Sequence, residues 1–599
     1  MEKISIFDII FSKDDQLDGE ESARSGRFFS REFSGSITKR LKRILSSNVF
    51  RWVKEFSYLI SHIPTSIYGI AILTFGLAST LIYFLHLSSD TAIITPVLGI
   101  LLAVFSIPFL LSDKPLPVML QDFEITDYLF YEFFCMKRHS ALENVKRFPP
   151  FVAVIIGFIP AILSVFLPLW QVVLGIAIII CIYIGIESPE FLYLFSLASL
   201  PFLKLVPYGD IALAATLLLA TLSFFIKVLY GKRVVYIEQY DIFIGAMLLF
   251  ILISGIFVKG TESFSGSMRM IIFALGYILA GNIITNRRLA ERSANSIIVS
   301  SSIATLVSLG QLIALFIKHE YSLTDTHLVN LLAREDGMTV FFIVSAIFSI
   351  GMIKHSTGIA FIAYIVSAVL NLCGLVLTGE VFALFTLVIA AIAYALLKMN
   401  KLIGILLPIL ICLPLSILLL PNAALNLLFS YSPSISSAEE LFVLWQNSLE
   451  LFFNNIFVGI GIGSESFADE MAAFGGSFGY VDSSNLLLEL GLEAGAFALI
   501  FFVLIIFTRI RHRASRYLYL RNSEIESVSI IAGVTLCSLI SFGMVNYIWS
   551  DASAYYLFWC IFGIGSATLR IAKKDYDDRV LYYEETSAQD SSVIDIEIG

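Results

Sequence analysis

Apolar residues fill this chain in repeated runs of about 17–25, the length a helix needs to cross the hydrocarbon core of a bilayer. Sixteen such runs can be read, the first near 66–87 and the last near 554–571. Several are short or carry Pro160, Pro201, Pro408 or Pro414, and one or two of these would merge or re-enter rather than span. The pattern therefore predicts an all-α polytopic membrane protein with about 14–16 transmembrane helices and one large extracytoplasmic loop containing an amphipathic helix. The expected organisation is a basic cytoplasmic segment over 1–65, thirteen transmembrane helices over 66–420, the loop over 421–485, three more helices over 486–572, and an acidic cytoplasmic tail over 573–599.

The long polar interruption is the most informative stretch. Ser437 followed by Glu440 forms a capping box, which starts a helix. Leu441, Leu444, Trp445, Ser448, Leu449 and Phe452 then recur at helical spacing and make one apolar stripe. Asn454-Asn455 and the alternating glycines Gly459, Gly461 and Gly463 end that helix and open a turn. The reading is an amphipathic helix lying on a membrane surface, a glycine-rich turn, and a membrane helix from about Asn485.

Charge sets the expected orientation. Basic residues collect in alternate connections, for example Lys232-Arg233, Arg287-Arg288-Arg292 and Arg509-Arg511-Arg513-Arg516, and such positive connections face the cytoplasm. Both termini are then cytoplasmic and the 421–485 loop lies outside. The first 65 residues hold eleven Lys or Arg, suited either to an anionic lipid surface or to fixing topology as a solvated tail. With 58% hydrophobic and 15% charged residues, a soluble globular protein is excluded. Six cysteines without CxxC spacing support neither a disulfide framework nor a metal site.

Cations are scarce on the expected outer face. Arg269 and Arg334, helped by Lys204, Lys259 and Lys318, are the candidates for binding a phosphate, although anchoring at the membrane interface explains any single one of them. Between Pro421 and Ser484 there are seven acids and no Lys, Arg or His. His319 and His327 occupy another external loop, and His327 and Asp482 are the candidate bases for activating a hydroxyl. Trp445 fits either an interfacial anchor or a sugar platform. The run Gly459-Ile460-Gly461-Ile462-Gly463 follows no strand and is not a nucleotide loop. No cofactor and no metal are expected.

The helix with central Trp445, the G-I-G-I-G turn and the following S-N-x-x-L-x-x-x-x-E-x-G, carried by Ser484, Asn485, Leu488, Glu493 and Gly495, resemble the large external loop of the O-antigen ligase and O-antigen polymerase superfamily. Arg334-Glu335-Asp336-Gly337 and Leu377–Leu387 are similar to further motifs of that family in the same order, and the likeness covers roughly 240–570. The resemblance implies a metal-independent inverting glycosyl transfer from an undecaprenyl-pyrophosphate-linked glycan on the outer face of the bacterial cytoplasmic membrane, in surface-polysaccharide assembly. It implies partners among membrane lipids, lipid-linked glycan and other polysaccharide-assembly proteins, and no nucleic acid. Trp445, Asn485 and Glu493 fall on the family's motif positions and would lie at the substrate, whereas Arg269, Arg334, Lys259 and Lys318 would have to replace its phosphate-binding arginines and Asp482 or His327 its base. Three positions depart from the family pattern: Ser484 stands where the family has histidine, and Leu441 and Val381 stand where it has arginine. Two alternatives follow, a non-catalytic relative that binds or scaffolds lipid-linked glycan, and a flippase or transporter.

Overall fold

The computed structural model describes residues 62–85, 94–134, 149–205, 208–229, 233–258, 261–317, 335–354, 356–399, 403–415, 438–472, 482–520, 523 and 525–597. Among these residues there are helices and turns but no strand, with a single isolated bridge between Pro64 and Pro115. Eight helices are long and apolar enough to cross a membrane, from Thr65–Phe84 to Ala552–Val580. Seven shorter apolar helices, among them Pro150–Leu163, Asp241–Phe257 and Glu526–Phe542, stand where further spans are expected. The architecture is that of an all-α membrane protein.

The chain forms two compact units. The first comprises residues up to Leu192 together with Leu222–Val234. In it Glu190, 8% exposed, receives hydrogen bonds from Ser188 Oγ (3.2 Å) and Arg233, and Lys227 Nζ lies 3.7 Å away. A buried carboxylate without such partners would carry a large desolvation cost, so the two cations set where these segments meet.

The second unit holds Tyr193–Thr221 and everything from Val235. Eight of its helices matter for the site: α1 (Asp241–Phe257), α2 (Thr261–Ile283), α3 (Arg287–Ile317), α4 (Ala438–Asn454), α5 (Ser464–Ala472), α6 (Leu486–Ser515), α7 (Glu526–Phe542) and α8 (Ala552–Glu597). The most apolar part of α8 is entirely buried. A helix that is hydrophobic all round belongs inside a bundle, and α2, α3 and α7 pack on this one. Arg570 on α8 donates to the carbonyls of Gly281 (2.7 Å) and Ile284 (2.8 Å), satisfying main-chain acceptors at the end of α2.

Helix α1 runs antiparallel to α6. Phe250 stacks on Phe497 and Phe501, Phe243 stacks on Phe501, and Tyr240 and Arg509 meet at the far end. Helix α3 is tied to Ile359–Leu377 through Asn371, which is fully buried and bonded to Ser301 and Ser302. Serine and asparagine act here as interhelical glue where hydrophobic contrast is weak.

Helix α4 forms where the capping box and the apolar stripe predict it. One face of it packs on protein. Leu441, Leu444, Ser448 and Leu451 are buried against protein, and Leu444 and Leu451 join Ile460, Phe467, Met471 and Leu492 in one cluster. Most of the stripe is thus the contact with α5 and α6, which present complementary apolar faces, while Leu449 stays exposed.

Candidate functional site

Helix α6 begins at Asn485, whose side-chain oxygen accepts from the N–H groups of Leu487 (3.0 Å) and Leu488 (3.1 Å). This N-cap satisfies two donors that a helix start leaves without partners. The Asn485 amide donates to Met544 O (2.8 Å), and Leu486 N donates to Gly543 O (2.6 Å), so the loop after α7 holds the start of α6 from the other side.

Ten residues on, the helix breaks. Gly495 has φ 80° and ψ 172°, a backbone state essentially reserved for glycine. A break inside an apolar helix frees main-chain groups that lipid cannot satisfy. The glycine-rich turn supplies their partners. Ala496 N donates to Ile456 O (2.8 Å), Ile460 N donates to Leu492 O (2.7 Å), and Ser254 Oγ of α1 donates to Glu493 O (2.5 Å). The turn fits because Gly459 lies against the backbone of Leu492 and Glu493, where a side chain would have no room.

Two buried carboxylates on α6 complete the connection. Glu493, 4% exposed, accepts from Tyr547 Oη (2.6 Å) and from Gly463 N (3.3 Å). Glu489, 1% exposed, accepts from Ser483 N (2.7 Å). Trp445 of α4 donates its indole N–H to Ser483 O (3.0 Å), so both main-chain groups of Ser483 are held. Asp482 is half-buried and accepts the N–H of Ser484 (2.9 Å). Ser484 itself has φ 52°, a left-handed conformation uncommon for a residue with a side chain.

Asp482, Glu489 and Glu493 are close enough for their charges to interact, and the charge of Arg269, exposed on α2, reaches Glu493. Ser263 on the same helix accepts the N–H of Ile462 (3.0 Å), which ties α2 to the glycine turn. Among the described residues no cluster of His, Cys, Asp or Glu is placed to hold a metal ion.

The structure thus brings Trp445, Asp482, Asn485, Glu493 and Arg269 into one region. Lys204 lies in a described helix, although its side chain is outside the described part. Lys259, Lys318, His327 and Arg334 lie outside the described residues. Both side-chain polar atoms of Asn485 are engaged in building the fold, and Glu493 is engaged on both oxygens. Sequence reasoning did not single out Glu489, Tyr547, Ser483 or Ser263. A signal for Glu489 was present: in L-L-L-E-L-G-L-E the two acids are four residues apart in an apolar run, on one helical face.

No family model matches the chain, and no curated protein is significantly similar to it.

Proposed function

We propose that this chain is a multi-spanning protein of the bacterial cytoplasmic membrane, with both termini cytoplasmic and about 14–16 transmembrane helices, that acts on undecaprenyl-pyrophosphate-linked glycan in surface-polysaccharide assembly. The activity is transfer or polymerisation of the lipid-linked oligosaccharide on the outer face, in the manner of the O-antigen ligases and polymerases. One observation carries the reading. The segments on which the resemblance rests, α4 with Trp445, the glycine turn, and the start of α6 through Glu493 and Gly495, pack into a single hydrogen-bonded unit rather than lying apart.

In this reading Arg269 and Arg334 bind pyrophosphate, with Lys259 and Lys318 adding to the field, and Asp482 or His327 takes the proton of the acceptor hydroxyl. Asp482 is the nearer choice, because it is half-buried beside Ser484, at the position where the family carries its histidine. Glu493 and Asn485 hold the site together.

The test is complementation of a gene deletion, read as the size distribution of surface polysaccharide. Loss of ligated or polymerised glycan in Asp482→Asn or His327→Ala, with wild-type protein levels, supports the enzyme. Wild-type polysaccharide in both, beside a defect in the deletion, refutes the catalytic reading. That result would favour a second reading, a relative that binds or scaffolds lipid-linked glycan. The observation behind this second reading is the placement of Leu441, buried and apolar, where the family has an arginine.

A further inference from the structure

Arginines near the end of a membrane-crossing helix ordinarily turn outward and reach headgroups or water. Arg511, in the last two turns of α6, is exposed in this way. Arg509 and Arg513, one turn apart on another face of the same helix, turn inward instead, and each keeps only 8% of its surface accessible.

Arg509 lies over the rings of Tyr240 and Phe562, with Cζ 5.7 and 5.4 Å from their centroids. Its one hydrogen bond to protein is long, from Nη1 to Tyr240 Oη (3.4 Å). Gly565 of α8 leaves the room that Nη2 takes, since a Cβ there would stand 2.5 Å from that nitrogen. Arg513 donates through Nη1 to Ser529 O and Ser529 Oγ of α7 (both 2.9 Å) and lies beside Gly533. Gly565 faces Ala532, the neighbour of Gly533, so both guanidiniums reach the same level of α7, close enough for their charges to repel. Among the described residues, Nε and Nη2 of both arginines donate to no protein acceptor, and none of these nitrogens is sealed from solvent.

Among the described residues no carboxylate forms an ion pair with either arginine. Glu238 is taken by Arg516 (3.4 Å) and His512 (3.3 Å). Asp241 accepts from Tyr277 Oη and from Glu238 N (2.8 Å). Glu526, half-buried at the start of α7, acts on the charge of Arg513 without pairing with it, and the exposed Lys573 adds a further positive charge nearby. Rings and a carbonyl soften a cation but do not neutralise it, and buried charges are ordinarily paired.

The free edges define the chemistry of the missing counter-charge. A guanidinium fork matches the oxygens of a carboxylate or a phosphate, and two forks one turn apart offer more N–H groups than two carboxylate oxygens take up. The end of a membrane-crossing helix is also the level at which phosphate headgroups lie, and basic pockets between such helices suit them. We infer that Arg509 and Arg513 together bind a phosphate-class oxyanion between α6, α7 and α8. This site lies at the other end of α6 from Asp482 and Glu493 and owes nothing to the activity proposed there.

The test is native mass spectrometry of the full-length protein in an uncharged detergent, titrated separately with inorganic phosphate and with phosphatidylglycerol. Wild type should take up one saturable adduct. Phosphate alone would identify a soluble phosphorylated ligand and phosphatidylglycerol alone a lipid headgroup, and either supports the site. Arg509→Gln and Arg513→Gln should each weaken the adduct about ten- to a hundredfold, the range for loss of charge-assisted hydrogen bonds, whereas Arg511→Gln should not. Arg509→Gln removes only an unpaired charge and one long hydrogen bond, so it decides the matter if Arg513→Gln fails to fold. An adduct that survives Arg509→Gln belongs elsewhere on the protein and overturns the inference. Equal weakening by Arg511→Gln, or a wild type with no saturable adduct of either probe, does the same.

Discussion

Gly495→Ala isolates the join between the glycine turn and α6. At φ 80° and ψ 172° an alanine carries backbone strain of roughly 1–3 kcal/mol. Its Cβ would lie 2.5 Å from Phe457 O and 2.8 Å from the Phe457 carbonyl carbon, and both are backbone atoms with no rotamer to move away. Relief requires the turn to retreat, which weakens the bonds Ala496 N to Ile456 O and Ile460 N to Leu492 O, each worth about 1 kcal/mol. The total loss is roughly 2–5 kcal/mol, a large part of the stability of an ordinary domain. The assay is thermal unfolding of detergent-solubilised protein, followed by intrinsic fluorescence. Two glycines serve as controls. Gly245→Ala adds a Cβ that meets nothing within 4 Å, and the nearest atoms to a Cβ at Gly491 are side-chain atoms of Phe452 and Leu499 rather than backbone. Gly245→Ala should be neutral or slightly stabilising, since alanine is the better helix former by up to about 1 kcal/mol. If Gly495→Ala melts with Gly245→Ala, the turn is not locked into the helix break and the reasoning fails.

Ser484 sits at φ 52° and is held chiefly through its N–H (2.9 Å), its hydroxyl lying 3.5 Å from the same Asp482 oxygen, so Ser484→Gly should keep or raise the melting temperature while the β-branched Ser484→Val lowers it. Equal melting of the two would argue against a strained backbone there. Glu190→Gln should destabilise by about 3 kcal/mol, because Lys227 and Arg233 lose their buried counter-charge, and a chemical-denaturation midpoint measures the loss. Arg570→Met keeps the length of the side chain but removes two charge-assisted bonds to the end of α2; a cost of about 2–4 kcal/mol is expected, and a melt within error of wild type would contradict it.

Much of the site was legible in the residues themselves. The capping box and the 3.6-residue stripe mark α4, the alternating glycines mark the turn, and Asn485 marks a helix start. What the stripe cannot say is whether its apolar side meets lipid or protein, since both reward the same residues. The break at Gly495 was hidden because one glycine in an apolar run reads as a tolerated helical residue. The turn that makes the break tenable lies 32 residues earlier at Gly463 and still earlier at Gly459, and local periodicity carries no record of that pairing. Glu489 escaped notice for a related reason. Its spacing from Glu493 marks it as unusual, but its partner is the main-chain N–H of Ser483, and a main-chain partner leaves no trace in residue type.

The dependence of α6 on the glycine turn also bears on how the protein is made. The α4–α5 hairpin precedes α6 in the chain, so the turn is already synthesised and available to dock when α6 emerges. Without the turn, a break at Gly495 would leave Leu492 O and Ala496 N unsatisfied, at several kcal/mol each in hydrocarbon, and the two groups would bond each other in a continuous helix instead. Chain order therefore provides the partners of the break before the break can form, which protects that segment. Moving the hairpin to a position after α6 in the chain, by circular permutation, would remove that protection while leaving every final contact available.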